Sequence, residues 1–276
     1  MKRSIRTLLA LATLVGAIFG TAGAASAADK ATYYLSLGNS LADQGEVKHY
    51  PDQLFKLVRG EFTQLRLVKL GCGGENTDTM IYGGICAYPS GSQLDEAVAF
   101  LEAHVGTVPF ITIDIGGNDG LACYDWDTGV WHNVCVEGEL PHIESNLAYI
   151  IDALQEAAPG VPIAGMRYYD PFLGHWVEGE HGEDLARIDE RALETLNAGL
   201  TSTYLSEGVL VADVDGPDFF NTADFTDMVI TKEWGEVPVN VANACVWTLF
   251  CTTGDIHPNT AGYGVIAAAF EAVLPT

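Results

Sequence analysis

Short apolar runs that end at turn residues recur along the chain. The first run stops at Gly38 and the second at Gly71, where glycine permits a tight turn. The runs cover residues 33–37, 65–70, 109–115, 161–168 and 209–214. Nearly continuous apolar runs of this length are typical of strands that are buried on both faces of a sheet. The pattern therefore predicts five strands.

Between these runs, apolar residues recur at helical spacing. The first stripe stops at Gly106 and the second before Pro159-Gly160, and both are common helix-ending signals. The stripes lie at about 94–105, 143–154, 184–204 and 260–273. Strands that alternate with helices favour parallel pairing, because right-handed crossovers place helices above and below the sheet. We therefore expect a three-layer α/β/α sandwich with a central, mostly parallel five-stranded sheet.

The part of the chain after residue 27 is predicted to form one domain, residues 28–276. It contains no Ser/Gly-rich linker, no internal repeat and no low-complexity segment. The stretch from Phe219 to Thr253 has weak periodicity and two cysteines. Long segments of this kind in compact domains are often functional loops. We expect it to be a long loop that is fastened near the functional site.

The first 27 residues have the pattern of a secretory signal peptide. A basic start with Lys2, Arg3 and Arg6 precedes an apolar stretch. Ala25-Ser26-Ala27 then provides a cleavage site. An uncleaved membrane anchor is the alternative, but no basic stop follows the apolar stretch. We expect cleavage, secretion, and no stable membrane insertion afterwards.

The charge balance excludes several classes of partner. The chain carries 13 Lys and Arg against 37 Asp and Glu, which gives a formal net charge of -24. Sequence-independent binding of nucleic acid needs clustered basic side chains, and anionic membrane surfaces attract basic segments too. We therefore expect neither nucleic acid nor an anionic membrane as a partner. With 48% hydrophobic residues, the chain is also too apolar to be disordered.

Six cysteines occur, all after residue 27. An even number in an exported chain predicts disulfide bonds. The cysteines fall into three local couples, so we predict the bonds Cys72–Cys86, Cys123–Cys135 and Cys245–Cys251. Zinc binding is the competing use, but no C-x-x-C pair is present and no histidine lies at ligand spacing beside a cysteine. No metal and no organic cofactor is predicted.

Candidate chemical groups follow the first three predicted strands, at the edge where sheets of this kind bind ligands. Ser40 comes directly after the first strand, on a glycine turn that presents its hydroxyl. A Gly-Asn-Ser turn taken alone is more often a helix cap. Gly74 and Asn118 follow the next two strands and offer a backbone and a side-chain amide. Such donors stabilise the oxyanion that forms when a nucleophile attacks an ester.

A serine nucleophile needs a base, and His257 is the best-placed candidate. It precedes the last predicted helix, and Pro258 keeps it extended. The other histidines fall in predicted helices or polar loops, and we expect them at the surface. They are His49, His104, His132, His142, His175 and His181.

These blocks resemble the motifs of the SGNH, or GDSL-type, hydrolases. The matching blocks are Gly38-Asn39-Ser40-Leu41, Gly71-Cys72-Gly73-Gly74-Glu75, Gly116-Gly117-Asn118-Asp119 and Asp255-Ile256-His257-Pro258-Asn259. The resemblance extends from about Tyr33 to the C-terminus, and it is greatest to the secreted, cysteine-rich bacterial esterases and lipases of the group. It implies a flavodoxin-like three-layer fold with Ser40 as nucleophile and His257 as base. Ser40, Gly74 and Asn118 would then form the oxyanion hole.

Two positions depart from the family pattern. Family members usually read Gly-Asp-Ser, whereas this chain has Asn39, which keeps the ability to form a turn and removes a charge. The family's carboxylate commonly lies three residues before the histidine, and Gly254 occupies that position. Asp255 or a backbone carbonyl such as that of Gly254 could orient the His257 ring. The sequence leaves both possibilities open.

Together, the residues and the resemblance predict a secreted, monomeric serine hydrolase that cleaves carboxylic esters through an acyl-serine intermediate. Lipid or short-chain acyl esters are the expected substrates. Aromatic residues after the fourth strand are candidates for an acyl pocket, or else anchor the core or a loop: Tyr168, Tyr169, Phe172 and Trp176. Removal of O-acetyl groups from polysaccharide is the alternative activity. A catalytically weak secreted binding module on a hydrolase scaffold is the alternative from another class.

Overall fold

A computed structural model describes residues 31–45 and 48–275 of the chain. The predicted signal peptide, residues 1–27, lies outside this part. The strands are β1 (Tyr33–Gly38), β2 (Arg66–Lys69), β3 (Ile111–Asp114), β4 (Tyr124–Asp125), β5 (Val130–Trp131), β6 (Ile163–Met166), β7 (Leu210–Ala212), β8 (Met228–Thr231), β9 (Gly235–Pro238), β10 (Thr248–Leu249) and β11 (Asp255–Pro258). The α-helices are α1 (Tyr50–Val58), α2 (Thr77–Tyr82), α3 (Gln93–Ala103), α4 (Gly117–Leu121), α5 (Asn133–Ala157), α6 (Glu180–Ser206), α7 (Val239–Trp247), α8 (Phe250–Thr253) and α9 (Thr260–Glu271). Short 3₁₀ helices cover Ser40–Ala42 and Phe172–Glu178.

The central sheet has five parallel strands in the order β2-β1-β3-β6-β7. The predicted strands and their parallel pairing are confirmed. The chain moves from β1 outward to β2 and then returns to the other side of β1 to form β3. This reversal opens a crevice beyond the carboxyl ends of β1 and β3, which is where flavodoxin-like sheets bind ligands. Ser40 follows β1 and Asn118 follows β3, so both lie at this crevice.

Helices cover both faces of the sheet. On one face α1 packs against α9, and on the other α3, α5 and α6 pack in succession. The three inner strands, β1, β3 and β6, are almost completely buried, because side chains on both of their faces meet a helix layer. The structure is therefore the expected α/β/α sandwich.

The expectation of a long loop from Phe219 to Thr253 is wrong. The segment contains the hairpin of β8 and β9, then α7, β10 and α8. The apolar pattern of α7 is interrupted by Asn240, which is completely buried. Its side-chain amide donates to the Thr222 carbonyl at 2.8 Å. A buried polar residue whose partner lies elsewhere in the chain weakens the helical pattern that sequence analysis relies on.

Three disulfide bonds join the pairs predicted from the sequence: Cys72–Cys86, Cys123–Cys135 and Cys245–Cys251. Each closes a short segment at the carboxyl edge of the sheet. The first fastens the segment after β2, and the second brackets the small hairpin of β4 and β5. The third links α7 to α8, immediately before β11.

Candidate active site

Ser40 begins the 3₁₀ helix that follows β1. The chain enters this helix through Gly38, whose φ of +137° favours glycine. A Cβ on Gly38 would lie 2.3 Å from Oδ1 of Asp114, so a larger residue would collide. The side chain of Asn39 accepts a hydrogen bond from the Leu41 amide at 3.1 Å and closes the turn. Ser40 is therefore held partly exposed between two buried neighbours.

Asn39 uses the other end of its side-chain amide to donate to the Tyr168 hydroxyl at 2.9 Å. The Asn39 backbone amide donates to Oδ2 of Asp114 at 3.2 Å. Burial raises the pKa of Asp114 well above its ordinary value, although hydrogen bonds from the Asn39 amide and the Tyr50 hydroxyl act in the opposite direction. An aspartate at position 39 would place a second buried carboxyl beside Asp114. The asparagine of this chain avoids that cost.

His257, on β11, lies within hydrogen-bonding distance of Ser40. Its Nε2 is 2.8 Å from Oγ of Ser40, and its Nδ1 is 2.6 Å from Oδ1 of Asp255. Both contacts are satisfied when Nδ1 carries the proton and donates to the carboxylate, because Nε2 can then accept from the serine hydroxyl. The His257 and Asp255 side chains are 37% and 46% exposed. A base within reach of a hydroxyl, and itself oriented by a third group, can activate that hydroxyl as a nucleophile.

The extended backbone of β11 explains how a two-residue offset brings the carboxylate to the ring. Alternate residues of a strand project from the same side, so Asp255 and His257 face one way. Oδ1 of Asp255 also accepts from the His257 backbone amide at 2.9 Å. Partial burial tends to raise the pKa of Asp255, but the hydrogen bonds and charge of His257 outweigh burial and lower it. Of the two possibilities left open by the sequence, the structure has the Asp255 side chain at Nδ1.

Gly74 lies on the turn after β2, and Asn118 lies in the first turn of α4, which follows β3. Gly74 has a φ of +84° in a turn where the Glu75 amide donates to the Cys72 carbonyl at 3.1 Å. The Cys72 amide in turn donates to the Gly38 carbonyl at 3.0 Å, which holds this turn against the one that carries the serine. Asn118 donates one side-chain N–H to the Glu75 carbonyl at 2.8 Å. A primary amide carries a second N–H, which can donate to another acceptor.

Gln93, a residue that sequence analysis missed, ties these turns together. Its side chain is completely buried. It accepts a hydrogen bond from the Gly38 backbone amide at 2.6 Å and donates one to the Gly38 carbonyl at 2.9 Å. The same Nε2 donates to Oε2 of Glu75 at 3.0 Å. The Gly38 backbone, which leads to Ser40, is thus linked through Gln93 to Glu75, whose carbonyl accepts the hydrogen bond from Asn118. Nothing in the sequence distinguishes this glutamine from a solvent-exposed one at the start of α3.

The sequence profile of the GDSL-like lipase/acylhydrolase family matches residues 36–265. The matched span includes Ser40, Asn118 and His257. The chain belongs to this family. This GDSL hydrolase is accordingly a carboxylic ester hydrolase, as the sequence predicted.

Solved structures with the same fold are distant in sequence from this GDSL hydrolase. A lipase from a goat rumen metagenome is 14% identical with a TM-score of 0.55, covering 87% of this chain and 96% of that one. The extracellular lipase of Streptomyces rimosus is 17% identical with a TM-score of 0.53, covering 88% and 99%. An acetyl xylan esterase of Geobacillus stearothermophilus is 14% identical with a TM-score of 0.53, covering 87% and 94%. A search of curated protein sequences found no match.

A cavity of about 540 Å³, including its open mouth, adjoins the serine of this GDSL hydrolase. Ser40, Asn118 and His257 all line it, whereas Gly74 is not among the lining residues in the described part of the chain. The remaining lining residues are Asn39, Leu41, Gly117, Leu121, Trp131, Tyr168, Tyr169, Asp170, Pro171, Phe172, Leu193, Leu196 and Ile256. Three of the four aromatic residues proposed for an acyl pocket therefore line it. The fourth, Trp176, instead stacks on Phe225 at 5.4 Å.

The expectation that the remaining histidines lie at the surface is wrong for His49. Only 8% of His49 is exposed, and its ring packs edge-on against Tyr263 at 5.0 Å. His104 and His175 are partly buried, and His132, His142 and His181 are exposed. His49 directly precedes α1, an amphipathic helix that sequence analysis did not identify. Its burial follows from the packing of α1 against α9, a contact between distant parts of the chain.

Two acids with raised pKa values are buried in the protein. Asp170 lines the cavity, and Asp189 lies on α6. Burial raises the pKa of Asp170 to about 7. Burial, with a smaller contribution from Asp170, raises the pKa of Asp189 to about 9. Both carboxyls are therefore expected to be protonated in slightly acidic solution.

Asp189→Asn is expected to stabilise the protein increasingly as the pH rises. The folded protein binds a proton at Asp189 that the unfolded chain, with an ordinary aspartate pKa of about 4, releases. The free energy of unfolding of the wild type therefore falls from about pH 4 to about pH 9. Asparagine has no proton to lose, so its advantage at pH 8.5 over pH 5 should be on the order of 4 kcal/mol. Urea unfolding at both pH values measures it.

Asp184→Asn provides the matched control, because it removes an exposed carboxylate from the same helix. Its effect on stability should be small and similar at both pH values. An Asp189→Asn effect that does not change between pH 5 and pH 8.5 would contradict the prediction.

Proposed function

We propose that this protein is a secreted serine esterase in which Ser40 is the nucleophile, His257 the general base and Asp255 the group that orients the base. The observation that carries the proposal is the continuous contact from Oγ of Ser40 through the His257 ring to the Asp255 carboxylate, at 2.8 and 2.6 Å. These groups come from opposite ends of the domain. Their meeting at the crevice beyond the parallel strands supports a catalytic role over a structural one.

The reaction begins when His257 Nε2 takes the hydroxyl proton as Oγ of Ser40 attacks the ester carbonyl carbon. The carbonyl oxygen becomes an oxyanion, which the Ser40 amide, the Gly74 amide and the Asn118 side chain would stabilise. The C–O bond to the alcohol then breaks, and His257 gives its proton to the leaving oxygen. A water molecule, deprotonated by His257, then attacks the acyl carbon, the bond to Oγ of Ser40 breaks, and His257 returns the proton to Oγ as the acid leaves. No cofactor takes part.

Asp255 would act on the imidazole rather than on the substrate. Its carboxylate holds the proton on Nδ1, which keeps Nε2 free to accept from serine. It also stabilises the positive charge that the ring carries after the first proton transfer. The lowered pKa of Asp255 is consistent with this role, because the carboxylate stays ionised.

Lipid or short-chain acyl esters are the proposed substrates, and the apolar lining of the cavity favours them over polysaccharide. The alternative, O-deacetylation of polysaccharide, draws on the similarity of fold to an acetyl xylan esterase, which supports the fold alone. The proposed monomeric state remains a prediction from the sequence.

Secretion is proposed from the signal-peptide pattern and from three disulfide bonds, which persist in oxidising compartments. In residues 31–45 and 48–275, no helix is long and apolar enough to cross a membrane.

A fluorophosphonate probe tests the proposed nucleophile directly. Oγ of an activated Ser40 should attack phosphorus and displace fluoride, giving one label per chain on the peptide that contains Ser40. The His257→Gln variant should label far more slowly, because it lacks the base. Ester hydrolysis without labelling would assign the chemistry to another nucleophile. Absence of both labelling and hydrolysis would favour the binding-module alternative.

A further inference from the structure

The cavity beside Ser40 has a polar, exposed end and an apolar, closed end. At the polar end, the His257 side chain is 37% exposed. At the apolar end, Trp131 is 4% exposed, Leu193 8% and Leu196 1%. The cavity therefore leads from solvent at the catalytic groups into the interior beside α6.

We propose that the closed end binds the acyl chain of the ester, that the substrates are esters of hydrophobic acids longer than acetate, and that Leu193 sets the preferred chain length. This inference rests on the proposed function, since it assumes that Ser40 forms the acyl intermediate. It adds which half of the substrate enters the cavity and which residue determines its length.

The position of the base decides that the acyl half, and not the alcohol, enters the closed end. The leaving oxygen must lie near Nε2 of His257 to receive its proton, so the alcohol lies on the exposed side of the site. Leu121 is the apolar lining residue next to Asn118 along the chain. It follows Asn118 by three residues on α4, and residues at that spacing share a helix face. An acyl chain that leaves a carbonyl held at Asn118 therefore meets the apolar wall first.

The far end of the cavity is tightly packed around Leu196 and Trp131. A Cβ on Gly120 would lie 2.7 Å from a methyl carbon of Leu196 and 3.6 Å from the Trp131 ring. Trp131 is held by the hairpin of β4 and β5, and its ring meets Phe172 at 5.8 Å. Closely packed groups of this kind cannot move aside cheaply. The wall is thus fixed, and the slightly exposed Leu193 is the lining residue of α6 whose size can vary most readily.

Asp170 is the one carboxyl among the cavity's lining residues in the described part of the chain. Its Oδ1 accepts a hydrogen bond from the Phe172 amide at 2.8 Å, so this oxygen is turned toward the backbone. Burial raises the pKa of Asp170 to about 7, so about half of these carboxyls are uncharged at neutral pH, and an apolar acyl chain beside the group would raise that fraction. The wall can therefore remain largely apolar when an acyl chain occupies the cavity.

The test measures kcat/KM for p-nitrophenyl acetate, butyrate, octanoate and dodecanoate. In the wild type, kcat/KM should rise about tenfold or more from acetate to octanoate, since each buried methylene contributes to binding. Leu193→Trp should move the optimum to shorter chains and Leu193→Ala to longer ones. Leu205, on the same helix and 64% exposed, gives the matched controls Leu205→Trp and Leu205→Ala, which should keep the wild-type profile.

A second series holds the acyl group as acetate and lengthens the alcohol, and kcat/KM should change little. The inference is overturned if kcat/KM does not change with acyl length or if it depends strongly on alcohol length. It is also overturned if Leu193→Trp changes kcat/KM equally for all acyl chains. If Leu193→Trp does not fold, which thermal unfolding reports, Leu193→Ala still tests the role of Leu193, and the wild-type series still tests the direction of the acyl chain. Hydrolysis that depends on Ser40 but not on acyl length defeats this inference and leaves the proposed function intact. Hydrolysis independent of Ser40 defeats the proposed function.

Discussion

Ser40→Ala is expected to reduce kcat for ester hydrolysis by about 10⁵- to 10⁶-fold. The alanine retains the backbone amide of the oxyanion hole but has no oxygen to attack the carbonyl. Because the Ser40 side chain is partly exposed and its hydroxyl contacts His257, its removal should leave the fold unchanged. Hydrolysis of p-nitrophenyl butyrate, followed at high enzyme concentration, measures the residual rate. The melting temperature verifies folding.

The control for this variant is Ser206→Ala, which removes an exposed hydroxyl at the end of α6. It should hydrolyse the ester at the wild-type rate. Wild-type activity in Ser40→Ala would show that the contact between Ser40 and His257 has no catalytic role. A partial loss of only a few-fold would point to a supporting role in substrate binding.

Asp255→Asn is expected to reduce kcat by about 10³- to 10⁴-fold, with a smaller change in KM. An asparagine amide can donate to Nδ1, which drives the ring proton to Nε2, where it blocks acceptance from Ser40. The negative charge that stabilises the imidazolium is also lost. Asp255 is nearly half exposed, so water can replace it in part, and we expect a smaller loss than for Ser40→Ala. Steady-state kinetics on the same ester separates kcat from KM.

A rescue experiment tests whether the two-residue spacing between the carboxylate and His257 is required. Gly254→Asp in the Asp255→Asn background places a carboxylate three residues before His257, as in the usual family pattern. We expect no recovery, because Gly254 caps α8 before β11 begins, so a side chain there would not lie on the side of the strand that Asp255 and His257 share. Position 254 also has a φ of +75°, which disfavours the substituted side chain. Recovery of activity would show that a carboxylate three residues before His257 can orient the ring as well as one two residues before it.

The sheet could be predicted from the sequence because its strands are buried on both faces. Burial on both sides produces short apolar runs, and the turns after β1 and β2 require glycine, so strands and chemical groups appear together. The sequence of α1 does contain helix signals. A proline lies in its first turn, and Tyr50, Leu54 and Val58 recur at helical spacing and are buried. The helix α7 was obscured by its buried asparagine, whose partner belongs to a different segment.

The side chains that the structure brings together at the proposed site could also be predicted, whereas the groups that hold them could not. Ser40, Asn118 and His257 belong to short blocks at strand ends, so they can be recognised from the sequence alone. Gln93 acts through hydrogen bonds to residues that are 55 and 18 positions away in the chain. The spacing of Asp255 was ambiguous until the extended form of β11 fixed the direction of its side chain. Contacts between distant segments therefore account for most of what the sequence concealed.

The two-residue spacing in β11 has a consequence for how related chains are judged. A motif that demands a carboxylate three positions upstream of the histidine would reject this protein as catalytically incomplete. A rule based on geometry would accept it, since any acidic residue that shares the histidine's side of the terminal strand can serve. Relatives that lack an aspartate three positions before the histidine, but carry an acidic residue two positions before it, would then merit a kinetic assay.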